Sequence, residues 1–400
     1  MTQHNEMNLG IYISVPFCRS KCTYCNFASG VFSAAQMGRY VERVVEDVQA
    51  FPSYAAQQGG AIPEAVDSIY LGGGTPSLLP AAELKKLFFA LRQEFRVLPT
   101  AEVTVECAPG TLTGEIIQTL AELGVSRVSL GVQSFVDREA ASVARLHTRE
   151  RTLSDIQRLR AAGIGNINVD LIAGLPHQTR ESWEYSLEQA IASGAPHVSV
   201  YMLEVDEDSR LGRELIAGGT RYHAHSVPDD ELTAEFYENA CRRLAAAGIE
   251  QYEISNFARA GHESRHNLKY WTRQSYAGFG VDAHSMLALQ DGPSESIRWA
   301  TTDEYDRFLA APEWKASPVS YEQALEESVF LGLRLNRGVE MDRLRREFGE
   351  AAKKFGAQIE DLVQAGLLSR SGNILSLTAR GRLLSNEVFE GFIGAEQATS

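Results

Sequence analysis

Residues 11–27 read Ile-Tyr-Ile-Ser-Val-Pro-Phe-Cys-Arg-Ser-Lys-Cys-Thr-Tyr-Cys-Asn-Phe, and the rest of the fold is predicted outward from this stretch. Its first five residues are mostly apolar and β-rich, so they predict a strand, which Pro16 ends. Three of the chain's five cysteines, Cys18, Cys22 and Cys25, follow directly. The three thiols are therefore predicted to lie on one loop that leaves the end of a strand.

Three thiolates on one short loop can hold a small inorganic ion or cluster. Structural zinc is usually bound by four protein ligands, and no fourth ligand follows nearby, since Cys107 and His147 are the next thiol and imidazole. A [4Fe–4S] cluster held by three thiolates suits the spacing better, because one iron is left free for another ligand. A zinc loop and three buried thiols are the alternatives.

Composition and charge limit the class of protein. The chain has 400 residues, of which 44% are hydrophobic, so it can bury a full core in two or three domains. Its net charge of −14 argues against a nucleic-acid-coating protein and against a polybasic membrane anchor. No long apolar run and no secretory leader are found, so we expect no transmembrane segment and a cytoplasmic location, where reducing conditions preserve a cluster.

Strands and helices alternate along the first half of the chain. After the first strand, strands are predicted at residues 66–71, 102–107, 127–132, 167–172 and 197–203, with helices between them. Six strand–helix units in a row predict parallel strands joined by right-handed crossovers. We therefore predict an α/β fold, a partial barrel of six (β/α) units, with a doubly wound sheet as the alternative. Chemistry in such barrels gathers at the carboxyl ends of the strands.

Glycine-rich and polar residues occur at these predicted strand ends. The run Gly72-Gly73-Gly74-Thr75-Pro76-Ser77 follows the second strand, where its backbone groups could approach a ligand closely; a plain turn is the alternative. Glu106, Gln133 and Asp170 lie at or near the ends of later strands, and Arg145 lies in a following loop. Each could make a hydrogen bond within the fold, but together they predict a polar barrel mouth able to hold ribose hydroxyls and a carboxylate.

These segments resemble the oxygen-independent coproporphyrinogen III oxidase family of radical S-adenosylmethionine (SAM) proteins. The likeness rests on Tyr12 to Cys25, Gly72 to Ser77, Gly131 to Phe135 and Asp170 to Pro176, and extends from about residue 10 to the C-terminus. In the superfamily, the free iron of the cluster chelates the amino and carboxylate groups of SAM. The resemblance implies that SAM contacts at the cluster come from Tyr12, Gly73, Gly74, Thr75 and Glu106.

Further site residues are implied by position in the same family. Gln133, Arg145 and Asp170 match positions that line the rest of the cavity, where the oxidases hold a second SAM. His284 lies in a glycine-rich run, residues 278–285, that is near the SAM site in the family, although a turn is the simpler interpretation.

Two features favour the haem-chaperone branch of this family over the decarboxylating oxidases. The oxidases carry a cysteine two residues after the third cluster ligand, where this chain has Phe27, and they have a longer segment before the first strand. The sequence His266-Asn267-Leu268-Lys269-Tyr270-Trp271 is similar to the His-Asn-x-x-Tyr-Trp motif of the chaperone branch. An imidazole can ligate haem iron, and aromatic rings pack on a porphyrin. The alternative is a histidine hydrogen-bonded in the core beside two packed aromatic rings.

Three domains are predicted. The barrel core covers residues 1–215, a family-specific extension with the histidine motif covers 216–312, and a mostly helical, winged-helix-like domain covers 313–400, beginning with a linker at 313–318. Winged helices often bind DNA, but acidic residues slightly outnumber basic ones in the last domain. We therefore expect no nucleic acid there, and instead a cover for the barrel mouth or a docking site for a partner.

The sequence thus predicts a radical-SAM-type haem chaperone that binds a [4Fe–4S] cluster, SAM and haem. It would pass the haem to an acceptor protein, with respiratory membranes as one candidate location. An oxygen-independent coproporphyrinogen III oxidase and a cluster-free binding protein are the alternatives. Phe27 weighs against the first of these and the three intact cysteines weigh against the second.

Overall fold

The computed structural model describes residues 8–289, 292–311 and 314–394. Its centre is a twelve-stranded sheet that contains six parallel strands in chain order. They are β1 (Leu9–Val15), β2 (Val66–Gly73), β3 (Val97–Cys107), β4 (Arg127–Gln133), β5 (Asn166–Ala173) and β6 (His197–Met202). Doubly wound sheets reverse strand order at a switch point, whereas these strands follow one another without reversal. The prediction of a partial (β/α)6 barrel is confirmed.

Helices connect the parallel strands and cover the outside of the barrel. They are α1 (Ala34–Gln57), α2 (Ala81–Glu94), α3 (Gly114–Glu122), α4 (Asp137–Ser142), α5 (Arg149–Ala161) and α6 (Arg180–Ala192). Their starts are encoded locally: Ser33, Thr113, Thr148 and Thr179 each accept a hydrogen bond from a first-turn backbone N–H.

The two faces of each barrel strand carry different residues. In β1, Ile11 and Ile13 are fully buried in the apolar core under the helices, while Tyr12 and Ser14 alternate with them and point into the barrel. Polar residues recur at inward positions of the other strands, as at Asp170 in β5. The barrel interior is therefore a polar space rather than an apolar core.

The middle of the chain extends the sheet at both edges. Its elements are α7 (Arg210–Ile216), α8 (Asp230–Ala246), β7 (Glu250–Gln251), β8 (Asn256–Ala258), α9 (Arg265–Trp271), β9 (Tyr276–Phe279), β10 (His284–Leu289), β11 (Gly292–Ala300), α10 (Tyr305–Ala310) and β12 (Lys315–Val319). Strand β9 pairs in parallel with β1, and β8 pairs antiparallel with β6. Helix α7 runs across the domain boundary predicted after residue 215, and that boundary stays a prediction.

The linker predicted at residues 313–318 is wrong for its described part. Lys315–Val319 form the edge strand β12, paired antiparallel with β11, while residue 313 lies outside the described residues. Four of the five side chains in β12 are exposed and one of its residues is Pro318, so the segment lacks the alternation of a half-buried strand. Its strand conformation depends on pairing with β11, which sequence periodicity does not report.

The C-terminal domain is mostly helical and winged-helix-like, as predicted. Its elements are α11 (Tyr321–Leu333), β13 (Val339–Glu340), α12 (Met341–Phe348), α13 (Gly356–Gln364), β14 (Leu368–Ser371), β15 (Ile374–Leu377), α14 (Ala379–Leu383) and α15 (Ser385–Glu390). Strands β13, β15 and β14 form a small sheet packed on a separate apolar cluster. None of the described helices in the chain is long and apolar enough to cross a membrane.

Candidate functional site

A cavity of about 1200 Å³ runs through the barrel interior. At the carboxyl ends of the strands its wall includes the cysteine loop, the glycine run and the loops after β3 to β6. At the amino ends it reaches Arg127 and His197, and on one side it is bounded by α14 and α15 of the C-terminal domain. Drug-sized ligands usually occupy pockets of roughly 300–1,000 Å³, so this cavity lies above the upper end of that range.

The three loop cysteines face this cavity together. Cys18, Cys22 and Cys25 are free thiols, each partly buried, and all three line the wall. The loop is held at its start by a 2.8 Å hydrogen bond from Cys18 N to Gly30 O, and in its middle by one from Leu211 N to Thr23 O. Among the described residues, no three His, Cys, Asp or Glu side chains are grouped tightly enough to hold one metal ion. Three unpaired thiols on one anchored loop beside a large cavity are a donor set that fits an iron–sulfur cluster.

The glycine run packs its backbone against the cysteine loop. Gly74 N donates to Val15 O at 2.9 Å, and Thr75 N donates to Phe17 O at 2.7 Å. A Cβ atom on Gly74 would lie 2.7 Å from Val15 O and 2.8 Å from Phe17 O, closer than real Cβ contacts allow. Gly73 has φ +97°, in the left-handed region that favours glycine. Both glycines are therefore required to join the two loops that meet at the cavity.

Two carboxylates inside the barrel are held by neutral donors. Glu106 accepts a 2.7 Å hydrogen bond from Tyr70 Oη and a 3.2 Å bond from Gly73 N. Asp170 accepts from Ser129 Oγ at 2.9 Å and from Asn168 Nδ2 at 2.7 Å. Burial raises the pKa of Glu106 to about 7, and burial also raises the pKa of Asp170. These contacts leave both carboxylates able to receive a cation or hydroxyl group without breaking an ion pair.

Gln133 and Arg145 meet beside Gly131 with unused hydrogen-bonding atoms. A Cβ atom on Gly131 would lie 3.2 Å from Gln133 Nε2 and 3.4 Å from Arg145 Nη1. Arg145 Nη2 donates to Tyr24 Oη at 2.8 Å, but Arg145 Nε and Gln133 Oε1 are buried without partners. Gln133 also has φ +67°, an uncommon backbone conformation for this residue type. Orphaned polar atoms in a cavity wall indicate a site that a polar ligand completes.

Tyr12 lies below the glycine run rather than on the cavity wall. Its ring stacks on Tyr70 with centroids 6.1 Å apart, and a Cβ atom on Gly73 would lie 3.4 Å from Tyr12 Oη. Burial raises the pKa of Tyr12, so its hydroxyl stays protonated.

The structure places His266 in the floor of the barrel and not among the residues that line the cavity. Its side chain is 1% exposed, Nδ1 lies 3.1 Å from Ser68 Oγ, and Nε2 lies 2.9 Å from Tyr270 Oη. Burial and the charge of Lys269 lower the pKa of His266 to about 3. Neither ring nitrogen is free to bind iron in this conformation, so haem ligation by His266 would require the floor to open.

The structure does not bring His284 to the cavity either. It begins β10 with an exposed side chain, 3.8 Å from Asp282 Oδ1, and is not part of the cavity wall. Apart from Tyr12, His266 and His284, the residues predicted for the site converge: all three cysteines, Gly73, Gly74, Thr75, Glu106, Gln133, Arg145 and Asp170 line one cavity.

Sequence reasoning missed several residues of the interior. Tyr70, Ser129 and Asn168 hold the two carboxylates, and Tyr24 holds Arg145. The sequence contains a pattern that indicates these residues: polar residues recur at every second position of strands that otherwise are apolar, as in Ser68-Ile69-Tyr70. Such alternation within buried parallel strands indicates a polar barrel interior.

Comparisons with known proteins agree with this geometry. Residues 12–190 match the radical SAM superfamily, and residues 319–384 match the HemN C-terminal domain. The chain is 35% identical over 388 residues to the protein named heme chaperone HemW of Bacillus subtilis (strain 168), covering 96% of this chain and 98% of that protein. It is 29% identical over 391 residues to heme chaperone HemW of Escherichia coli (strain K12), covering 96% of this chain and 98% of that protein.

Among solved structures, the chain is similar to the coproporphyrinogen III oxidase HemN of Escherichia coli, described as a radical SAM enzyme. The TM-score is 0.79 at 21% sequence identity, and the match covers 97% of this chain and 90% of that chain. At this identity the similarity shows the fold alone, and it extends through the barrel, the middle segment and the C-terminal domain.

Proposed function

The chain belongs to the HemW family of radical SAM proteins, and on that premise we propose that it is a haem chaperone, which binds haem and passes it to an acceptor protein. The observation that carries the proposal is the sequence identity of 35%, over 96% of this chain, to a protein named heme chaperone HemW. Phe27, at the position where the decarboxylating oxidases have a cysteine, supports it. We place the protein in the cytoplasm, where reducing conditions preserve a cluster.

Cys18, Cys22 and Cys25 would hold a [4Fe–4S] cluster. When bound, such a cluster supplies an open iron for SAM and an electron for its reductive cleavage. The backbone at Gly73 and Gly74, with Thr75, would line the SAM site, because these residues lie against the cysteine loop. Glu106 would accept a hydrogen bond from the amino group of SAM. Gln133 Oε1 and Arg145 Nε, which have no partner in the protein, would bind its polar remainder, and the Asp170 carboxylate lines the same wall.

Haem would occupy the outer part of the same cavity. Two large apolar side chains on its wall, Phe27 and Leu146, are 60% and 73% exposed. They offer apolar surface to a porphyrin. Arg19 and Arg151 also line the wall, where guanidinium groups can bind the carboxylates of haem propionates. His284 is exposed outside this wall, so we assign it no contact with SAM.

The proposal is tested by anaerobic reconstitution with iron and sulfide. About four iron atoms per chain should be bound. Added haem should bind saturably, as followed by its Soret absorption band, and the bound haem should then transfer to a haem-free globin used as the acceptor. Cys18→Ala should lose iron, whereas Cys241→Ala, a cysteine on α8 outside the loop, should keep it.

Coproporphyrinogen III supplied with SAM and a reductant provides the decisive contrast. No decarboxylated porphyrin should form above the level of the Cys18→Ala protein. Product above that level would assign the chain to the oxidases, and bound zinc in place of iron would overturn the cluster assignment.

A further inference from the structure

A continuous set of contacts links the histidine motif to the candidate SAM site. Tyr70 Oη donates the 2.7 Å hydrogen bond to Glu106 Oε1. On the other side, the Tyr70 ring stacks on the His266 imidazole, with ring centres 5.3 Å apart and planes inclined by 29°. Only one side chain, that of Tyr70, therefore separates the motif from the carboxylate in the cavity.

The Tyr70 ring is fixed from two directions, and its hydroxyl position is fixed with it. The Tyr70 ring packs against His266 at 5.3 Å and against Tyr12 of β1 at 6.1 Å, and these two rings are 6.4 Å apart, so the three rings form a triangle. The phenol oxygen lies on the axis of its ring, so a displacement of the ring moves the donor oxygen with it. Hydrogen bonds weaken steeply with loss of distance and alignment, and the Glu106 contact therefore depends on ring packing.

His266 is itself held in one orientation by both of its nitrogens. Ser68 lies on β2 two residues before Tyr70, so its hydroxyl at 3.1 Å from Nδ1 ties the imidazole to the strand that carries the tyrosine. Tyr270, one helical turn later in α9, lies 2.9 Å from Nε2. A neutral imidazole offers one donor and one acceptor, and these two hydroxyls use both of them.

We propose that His266 and Tyr70 are positioning residues, which fix Glu106 for SAM from beneath the cavity, and that His266 does not ligate haem iron. This inference rests on the proposed function to the extent that SAM is the ligand of Glu106. The motif then contributes to cofactor binding through the floor of the barrel. The histidine and the tyrosine four residues later in the motif hold the imidazole in place against the Tyr70 ring.

If Tyr70 and His266 only filled space in the floor of the barrel, SAM affinity would be unchanged in variants of these residues that fold. Tyr70→Phe removes only the hydroxyl, and His266→Phe keeps a ring under Tyr70 while removing both nitrogens. Tyr237→Phe is the matched control, because it also removes one phenol hydroxyl from the interior: Tyr237, on α8, is buried and donates at 2.6 Å to Ile254 O rather than to Glu106. All are prepared as full-length, anaerobically reconstituted protein.

We expect SAM dissociation constants, measured by equilibrium dialysis, to rise about tenfold for Tyr70→Phe, since a hydrogen bond to a charged group is lost. A several-fold rise is expected for His266→Phe, and none for Tyr237→Phe. The haem dissociation constant and the electron paramagnetic resonance spectrum of ferric haem should be unchanged in all three. An altered haem spectrum in His266→Phe with normal SAM affinity, or an equal loss of SAM affinity in the control, would overturn the inference.

A second readout needs no SAM. In protein with ¹³C-labelled glutamate carboxyl groups, the Glu106 resonance is assigned with Glu106→Gln, and its titration is followed by NMR. Removing the Tyr70 donor should raise the pH at which Glu106 ionises, because the hydrogen bond favours the charged form. If the unaltered protein binds no SAM, the proposed function fails, while this titration still decides the positioning role: an unshifted midpoint in Tyr70→Phe would refute it.

Discussion

The guanidinium carbon of Arg334 lies 4.1 Å from the centre of the Trp271 ring, so the last residue of the histidine motif is stacked against the C-terminal domain. Arg334 follows α11 directly and also lines the cavity. On its other side, Arg334 Nη2 is 3.5 Å from the Glu253 carboxylate, which is completely buried. The barrel floor, the cavity wall and the C-terminal domain are therefore joined through one arginine.

Arg334→Ala should destabilise the protein strongly. Glu253 would keep a buried carboxylate without its cation, a change that typically costs about 3–5 kcal/mol. The free energy of unfolding is measured by urea denaturation under reducing conditions. The double variant Arg334→Met/Glu253→Gln should recover most of the loss because no charge is left buried, and a single variant as stable as the unaltered chain would contradict this reasoning.

Gly74→Ala should prevent stable cluster assembly. The added Cβ would meet Val15 O and Phe17 O at 2.7 and 2.8 Å, both backbone atoms that cannot rotate away. The glycine run and the cysteine loop must then separate, so iron content after reconstitution should fall to a small fraction of normal. Gly114→Ala is the control, since a Cβ there meets nothing within 4 Å. Iron content in Gly74→Ala equal to that of the control would show that the two loops need not touch.

The sequence was informative wherever local pattern determines structure. Hydrophobic strands ended by Pro16 or by the glycine run predicted a parallel barrel, because the order of strand–helix units restricts the topology. The sequence pattern does not predict a strand whose pairing depends on a distant segment. Strand β12 is an example, because its mostly exposed residues form a strand by pairing with β11.

The site shows the same division. Residues at strand ends, such as Glu106 and Asp170, could be predicted because parallel strands deliver their carboxyl ends to one place. The surroundings of His266 could not be predicted, because the motif shows which residue types are near one another but not that Ser68, far away in sequence, takes up an imidazole nitrogen. Long-range hydrogen bonds decide whether a histidine is free to be a ligand.

SAM binding should strengthen with pH through the neutral range. The pKa of Glu106 is raised to about 7 by burial, so its carboxyl is mostly protonated at pH 6 and mostly ionised at pH 8. The ionised carboxylate is the better acceptor for an N–H of the SAM amino group, so affinity is expected to rise by up to about tenfold over this range. Equilibrium dialysis at each pH measures it. Glu106→Gln should bind weakly at every pH, and an equally steep profile in that variant would assign the titration to another group.

His266 should make the stability of the protein depend on pH below 6.5. Its pKa is lowered to about 3 in the folded state by burial and by Lys269, against about 6.5 in an unfolded chain. As the pH falls below 6.5, the imidazole is protonated in the unfolded state but stays neutral in the folded state, so the free energy of unfolding decreases. Above pH 6.5 the imidazole is neutral in both states, and its contribution to stability does not change with pH.

At pH 5 the contribution of His266 to this loss is about 2 kcal/mol. Other buried groups also titrate, so the measured quantity is the difference in slope between the unaltered chain and His266→Gln, from urea denaturation at pH 5 to 8. The variant should be less stable at pH 8 because two hydroxyls lose their partner, yet it should lose less stability on acidification. Tyr237→Phe should keep the full slope, since it removes no group that titrates in this range. Parallel profiles for His266→Gln and the unaltered chain would mean that the imidazole is not held neutral in the floor of the barrel.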